Sequence, residues 1–123
     1  MQLSLETGSG ANLIRGYSDT EIRIGDRSIR RSCIVTADTL TTDWAPQSYA
    51  DLRPEHLAVI LAQQPEVVVI GTGAVSQFAP AAVRALLAQQ RVGLEVMELG
   101  AACRTYNVLV QDQRRVAAAL FLR

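Results

Sequence analysis

The chain has 123 residues, 49% of them hydrophobic and 20% charged, a length that suits one domain and a composition that excludes a disordered polar chain. Twelve Lys and Arg balance twelve Asp and Glu, so the formal net charge is zero, without the cation surplus by which a protein holds nucleic acid electrostatically. One histidine and two isolated cysteines, Cys33 and Cys103, offer no metal-ligand spacing, and neither a metal nor a cofactor is expected.

Met1-Gln2-Leu3-Ser4-Leu5-Glu6 has no basic stretch leading into a long apolar one, so no secretory signal is read there. The longest apolar run, residues 116–122, is seven residues, too short to span a bilayer as a helix. The expectation is a cytoplasmic, monomeric protein with no membrane span. Residues 12–17 read as a short strand. Glu21-Ile22-Arg23-Ile24 alternates, Gly25-Asp26 offers turn chemistry, and Ser28-Ile29-Arg30 followed by Cys33-Ile34-Val35 reads as the return strand. The charges of Arg27, Arg30 and Arg31 are read as a solvated strand face in preference to a phosphate-tracking patch. Residues 36–50 read as an irregular crossing anchored by the buried ring of Trp44.

Helix and strand then alternate, with an internal echo. Leu61-Ala62-Gln63-Gln64 recurs as Leu87-Ala88-Gln89-Gln90, 26 residues later. Each copy ends a helical pattern, with Leu57, Ile60 and Leu61 on one face of the first and Val83, Leu86 and Leu87 on one face of the second. Pro54 and Pro80 mark the two helix starts. His56 sits on the first helix and is read as an exposed residue. Strands over 67–70 and 94–97 follow the two helices, as a β–α–β unit of a parallel sheet requires. A third helix begins near Ala101, with Ala102, Tyr106, Leu109 and Val110 on its apolar side and Arg104 and Asn107 away from it. Residues 116–122 read as a strand buried on both faces.

The strand at 67–70 ends in Gly71-Thr72-Gly73. This resembles the opening of a dinucleotide fingerprint, but Ser76 stands where the third glycine belongs. The glycines are read as permitting a tight turn and a close approach of the next helix. The loop after Met97 should lie beside this turn, because both follow parallel strands at their carboxyl ends. The candidate ligand or partner site is therefore Gly71, Thr72, Gly73, Glu98, Arg104, Tyr106 and Asn107. Arginine, a phenol and an amide can grip a carboxylate or phosphate. The competing reading pairs Arg104 with Glu98, buries Tyr106 in the core and makes Asn107 a turn cap. No nucleophile–base pair can be assembled, so no catalytic residue is assigned and an enzyme is disfavoured.

The segments Pro65-Glu66-Val67-Val68-Val69-Ile70-Gly71-Thr72-Gly73, Gly93-Leu94-Glu95-Val96-Met97 and Ala101-Ala102-Cys103-Arg104-Thr105-Tyr106-Asn107-Val108-Leu109 resemble a small α/β family of largely unknown function, the Mth938-like domains. Its members include a mitochondrial respiratory complex I assembly factor and an adipogenesis-associated protein. The resemblance covers nearly the whole chain, with Arg104-Thr105-Tyr106-Asn107 its most specific part. It implies an α/β fold over 1–123: a single three-layer domain, with a mixed, mostly parallel central sheet, flanking helices and a small additional β portion. It implies no enzymatic activity. The function expected is a non-catalytic protein-interaction or assembly module with a protein partner of unspecified identity. The alternative is a small-anion or metabolite-binding protein, in principle an enzyme, with its site at the turn of Gly71 to Gly73 and Arg104.

Overall fold

The computed structural model describes residues 10–123; the signal reading at residues 1–6 falls outside them. Three strands, β1 (Ile14–Tyr17), β2 (Ile22–Ile24) and β3 (Arg27–Ile29), form an antiparallel meander. Gly25, at φ +61°, opens the β2–β3 turn, a conformation that glycine reaches without a Cβ penalty. Ile22, Ile24 and Ile29 point inward while Arg23 and Arg27 point out, so the alternation read from the sequence sets the buried face.

The expected return strand divides. Arg27–Ile29 closes the hairpin with β2, but β4 (Cys33–Thr36) leaves the meander and pairs antiparallel with β8 (Val116–Leu120). The reason is burial: Cys33, Ile34 and Val35 are all buried, and a strand apolar on both faces needs a sheet covered on both sides. With β5 (Leu40–Thr41), β6 (Val67–Gly71) and β7 (Gly93–Met97), the second sheet has the order β5-β4-β8-β6-β7. Strands β8, β6 and β7 run parallel, whereas β4 is antiparallel to both β5 and β8. The sheet is thus mixed, with two parallel and two antiparallel pairings, because β4 arrives from the meander and not through a helical crossover.

One face of this sheet packs on α3 (Leu99–Gln111) and on the meander, through Val67, Val69, Ala118 and Leu120 against Leu99, Ala102, Tyr106 and the isoleucines. The other face, through Val68, Ile70, Ala117 and Ala119, packs on α1 (Ala58–Leu61), α2 (Ala81–Gln89) and the crossing. Trp44 anchors that crossing as expected: it is buried, its Nε1–H donates to the His56 carbonyl at 3.1 Å, and its ring lies 5.3 Å from that of Phe121. His56 is half-buried, not exposed. Its Nδ1 accepts the Arg53 N–H at 3.0 Å and closes a 3₁₀ turn over Pro54–Leu57 ahead of α1. Pro80 is the residue before α2, one position earlier than a first-turn proline. Each helix hands over to its strand through a non-glycine residue in the left-handed region, Gln64, Arg91 and Gln113, the usual device for ending a helix sharply.

Candidate functional site

Strand β6 ends at Gly71, whose role is a close approach. A Cβ there would meet the Ala102 Cβ at 3.0 Å and the Leu120 Cδ2 at 3.3 Å. The helix that approaches is α3, not α2, the next in the chain. Gly73 has φ +98°, and a Cβ on it would face the Leu122 carbonyl at 3.1 Å. Between them, buried Thr72 donates its N–H to the Met97 carbonyl at 2.8 Å and its hydroxyl to the Val75 carbonyl at 2.5 Å. The Leu99 N–H donates to the Gly73 carbonyl at 2.8 Å. The turn and the loop after Met97 lie side by side, placed there by the parallel pairing of Gly71 with Met97.

Glu98 is the N-cap of α3. Its carboxylate accepts the N–H groups of Gly100 at 2.9 Å and Ala101 at 2.5 Å, donors that the first turn of a helix leaves free. The same carboxylate takes the Arg123 guanidinium at 3.0 Å and lies 3.9 Å from that of Arg104. Arg123 in turn reaches Asp19 at 3.9 Å and sits over the Tyr17 ring, 5.5 Å from its centroid. At this end of the sheet the anion beside the helix N-terminus is therefore the chain's own side chain. The two backbone N–H groups, with help from Arg123, hold the Glu98 carboxyl below the usual carboxylate value of 4.5.

A depressed folded-state pKa contributes stability that is present above the unfolded value and lost as pH falls through the folded one. Wild type is accordingly expected to be more stable than Glu98→Gln at pH 7, with the gap closing as pH drops below the ordinary carboxylate range. Urea denaturation midpoints of both proteins between pH 7 and pH 3 check this. A gap that stays constant across that range would show that the charge of Glu98 is not what holds the cap.

The remaining candidate residues do not converge. Arg104 is exposed and faces Glu98, as the competing reading has it. Tyr106 is fully buried, and its hydroxyl donates to the Asn12 carbonyl at 2.7 Å; burial raises its pKa. Asn107 does not cap a turn. Its Oδ1 accepts the Ile14 N–H at 2.9 Å and its Nδ2 donates to the Ile14 carbonyl at 2.8 Å, so one amide side chain satisfies both backbone groups of a β1 residue. Tyr106 and Asn107 thus clasp residues 12–14 to α3. Cys33 and Cys103 are buried in the same core, and burial pushes both thiols up to about 12, leaving them protonated and poor nucleophiles.

Among the described residues, the most prominent apolar exposure lies elsewhere, on the stretch between β6 and α2. Phe78 is 97% exposed and Val75 63%, yet the backbone there is fixed: Thr72 holds the Val75 carbonyl and the Tyr49 hydroxyl donates to the Phe78 carbonyl at 2.8 Å. No periodicity marks Ala74-Val75-Ser76-Gln77-Phe78, so sequence reading had no handle on it. Beside Phe78 lies a shallow concavity of about 330 Å³ that also touches Arg84, Leu94 and Val96. A wider concavity of about 800 Å³ opens at the opposite end of the sheet, between Asp38, Gln63, Gln111 and Arg115 among others. The ion pair of Arg114 with Glu66, at 2.5 Å, sits at its margin.

The family described as "Protein of unknown function (DUF498/DUF598)" matches residues 14–121. The NADH dehydrogenase (ubiquinone) 1 alpha subcomplex assembly factor 3 of Danio rerio is 32% identical over 114 residues, 91% of this chain and 65% of that protein. The chain spans about 56–65% of the length of curated relatives that it matches. A Xanthomonas campestris protein solved by NMR is 34% identical with a TM-score of 0.83, over 99% of this chain and 92% of that one. A Bordetella pertussis protein described as a Mth938-like domain is 27% identical with a TM-score of 0.78, over 98% of this chain and 92% of that one. Among the described residues, no helix is long and apolar enough to cross a membrane.

Proposed function

We propose, from the premise that this chain belongs to the DUF498/DUF598 family of proteins of unknown function, that it acts without catalysis, as a small interaction or assembly module. Relatives from Danio rerio, Xenopus tropicalis and Drosophila melanogaster carry the name of the same NADH dehydrogenase assembly factor, and residues 1–123 are read here as one three-layer domain that serves an assembly role. The reading places it in the cytoplasm as a monomer that binds a protein partner and not nucleic acid. The observation that carries it is Glu98. A small anion offered to the turn of Gly71, Thr72 and Gly73 meets a carboxylate already seated on the helix N-terminus and already neutralised by Arg123 and Arg104. That arrangement supports a surface for a macromolecular partner over the alternative of a small-anion pocket.

The contact surface proposed here is the outer side of α3 around its middle. Arg104 and Val108, one helical turn apart, are both exposed there, and Val108 is an apolar residue at 57% exposure. Tyr106 and Asn107 support this surface from behind. An interface of this type buries on the order of 1,200 Å² or less in total. Partner capture from the native cell followed by mass spectrometry tests the function. Arg104→Ala is expected to weaken capture while leaving the thermal midpoint nearly unchanged, since an exposed ion pair contributes about 0–1 kcal/mol. Turnover of a metabolite by the purified protein at an ordinary enzymatic rate would overturn the reading.

A further inference from the structure

The β7 edge lies beside the exposed ring of Phe78. Strand β7 is the outermost strand on its side of the sheet and pairs only with β6 among the described residues. The Gly93 N–H donates to the Glu66 carbonyl at 2.9 Å, and the Met97 carbonyl accepts the Thr72 N–H at 2.8 Å. Alternation with period two then turns the backbone of Gly93, Glu95 and Met97 toward β6 and that of Leu94 and Val96 outward. The opposite edge, β5, is only two residues long, the short form in which natural proteins blunt an edge. β7 has five residues and neither a proline nor a bulge.

What flanks this edge differs between its two faces. On one, the half-buried side chains of Leu94 and Val96 adjoin Phe78 and Ala79 around the 330 Å³ concavity. The Phe78 ring projects from a backbone tied down by the Tyr49 hydroxyl and, one residue on, by the Arg84 Nε–H on the Ala79 carbonyl at 3.2 Å. An apolar group held in place before contact loses little freedom on binding. On the other face stands Glu95, exposed, at the middle of the strand and outside every ion pair among the described residues.

We propose that β7 accepts a strand from another protein, with backbone hydrogen bonds to Leu94 and Val96, an apolar side chain against Phe78 and a lysine or arginine across from Glu95. This deepens the module reading above and rests on it. Charge complementarity selects this occupant over a second copy, because two-fold pairing about the middle of β7 sets Glu95 against its own image, and like charges directly opposite are destabilising. Strand addition at an exposed edge is a recurrent mode of peptide recognition.

The probe is a capped pentapeptide with valine at positions two and four and lysine at three, titrated at millimolar concentration while the protein's backbone amide shifts are recorded. The expected result is saturable shifts at Leu94, Val96 and Phe78, with about threefold weaker binding when glutamate replaces the lysine. Glu95→Lys should reverse that preference. Phe78→Ser, on a side chain that supports no fold, should weaken binding. Val96→Pro, which removes an outward N–H without touching the β6 pairing, should weaken it about tenfold. Absence of shifts at Leu94 and Val96, or a preference unchanged in Glu95→Lys, overturns the proposal. So does a concentration-dependent dimer in light scattering that Val96→Pro abolishes, which would assign the edge to a second copy. A native partner captured equally by wild type and Val96→Pro would overturn the edge proposal and leave the module reading standing, whereas metabolite turnover would remove the module reading itself.

Discussion

Replacing Tyr106 with alanine is expected to destabilise the protein by about 3–5 kcal/mol, the range for deleting a large aromatic ring from a close-packed core. The ring is fully buried among Ile14, Leu99, Ala102 and their neighbours, so little collapse can fill the space. The part-buried Asn12 carbonyl also loses its donor, which adds to the cost. Native stabilities lie at about 5–15 kcal/mol, so the variant would sit close to the folding threshold. Tyr106→Phe removes only the hydroxyl and should cost about 1–2 kcal/mol. Urea unfolding of the three proteins measures both steps. A loss below about 1 kcal/mol in Tyr106→Ala would mean that the clasp on residues 12–14 contributes nothing, contrary to its geometry.

Gly71→Val should be comparably damaging, for the opposite reason. Even a single methyl group meets the Ala102 Cβ at 3.0 Å and the Leu120 Cδ2 at 3.3 Å, and the branches of valine extend further into α3. Overpacking of this kind costs about 1–3 kcal/mol and occasionally more; the upper end is expected here because the Leu99 Cα stands at 3.4 Å on the same side. Gly73→Ala has a separate cause, the strain of φ +98° combined with the Leu122 carbonyl at 3.1 Å. Thermal melts of the two variants, combined in one double mutant, test whether the costs add. The Gly71→Val midpoint is expected to fall below that of wild type by several degrees, and retention of the wild-type midpoint would show that α3 can yield.

Much of the fold was legible because periodicity and burial coincide. Val67 to Ile70 reads as a covered strand and is one, and the 26-residue echo marks the two helices that precede β6 and β7. The meander's inward isoleucines follow their alternation. What could not be read was the destination of β4, since Cys33-Ile34-Val35 fits a hairpin as well as a central sheet until the partner β8 is known. The site was legible in its backbone only: parallel strands do bring Gly71 and Met97 together. Side-chain roles were harder, because Arg104, Tyr106 and Asn107 are near in sequence yet leave the helix in different directions. Asn107 bonds a strand 93 positions away in the chain, and no local pattern announces such a partner. Phe78 and Glu95 went unmarked for the same reason, as exposure is a property of the assembled surface.

The position of β8 between β4 and β6 carries a consequence for how the protein is made. A ribosome delivers β4 and β5 early, β6 and β7 next, and the strand that joins these pairs only afterwards. Until residues 116–120 emerge, each pair has a bare inner edge, and β6 offers four consecutive β-branched residues, Val67 to Ile70, to any chain nearby. Such edges favour association between nascent chains. Closure of this sheet therefore waits on β8 and relies on contacts of high sequence separation, which form slowly. Chaperone shielding during synthesis would matter more for this small protein than its size suggests.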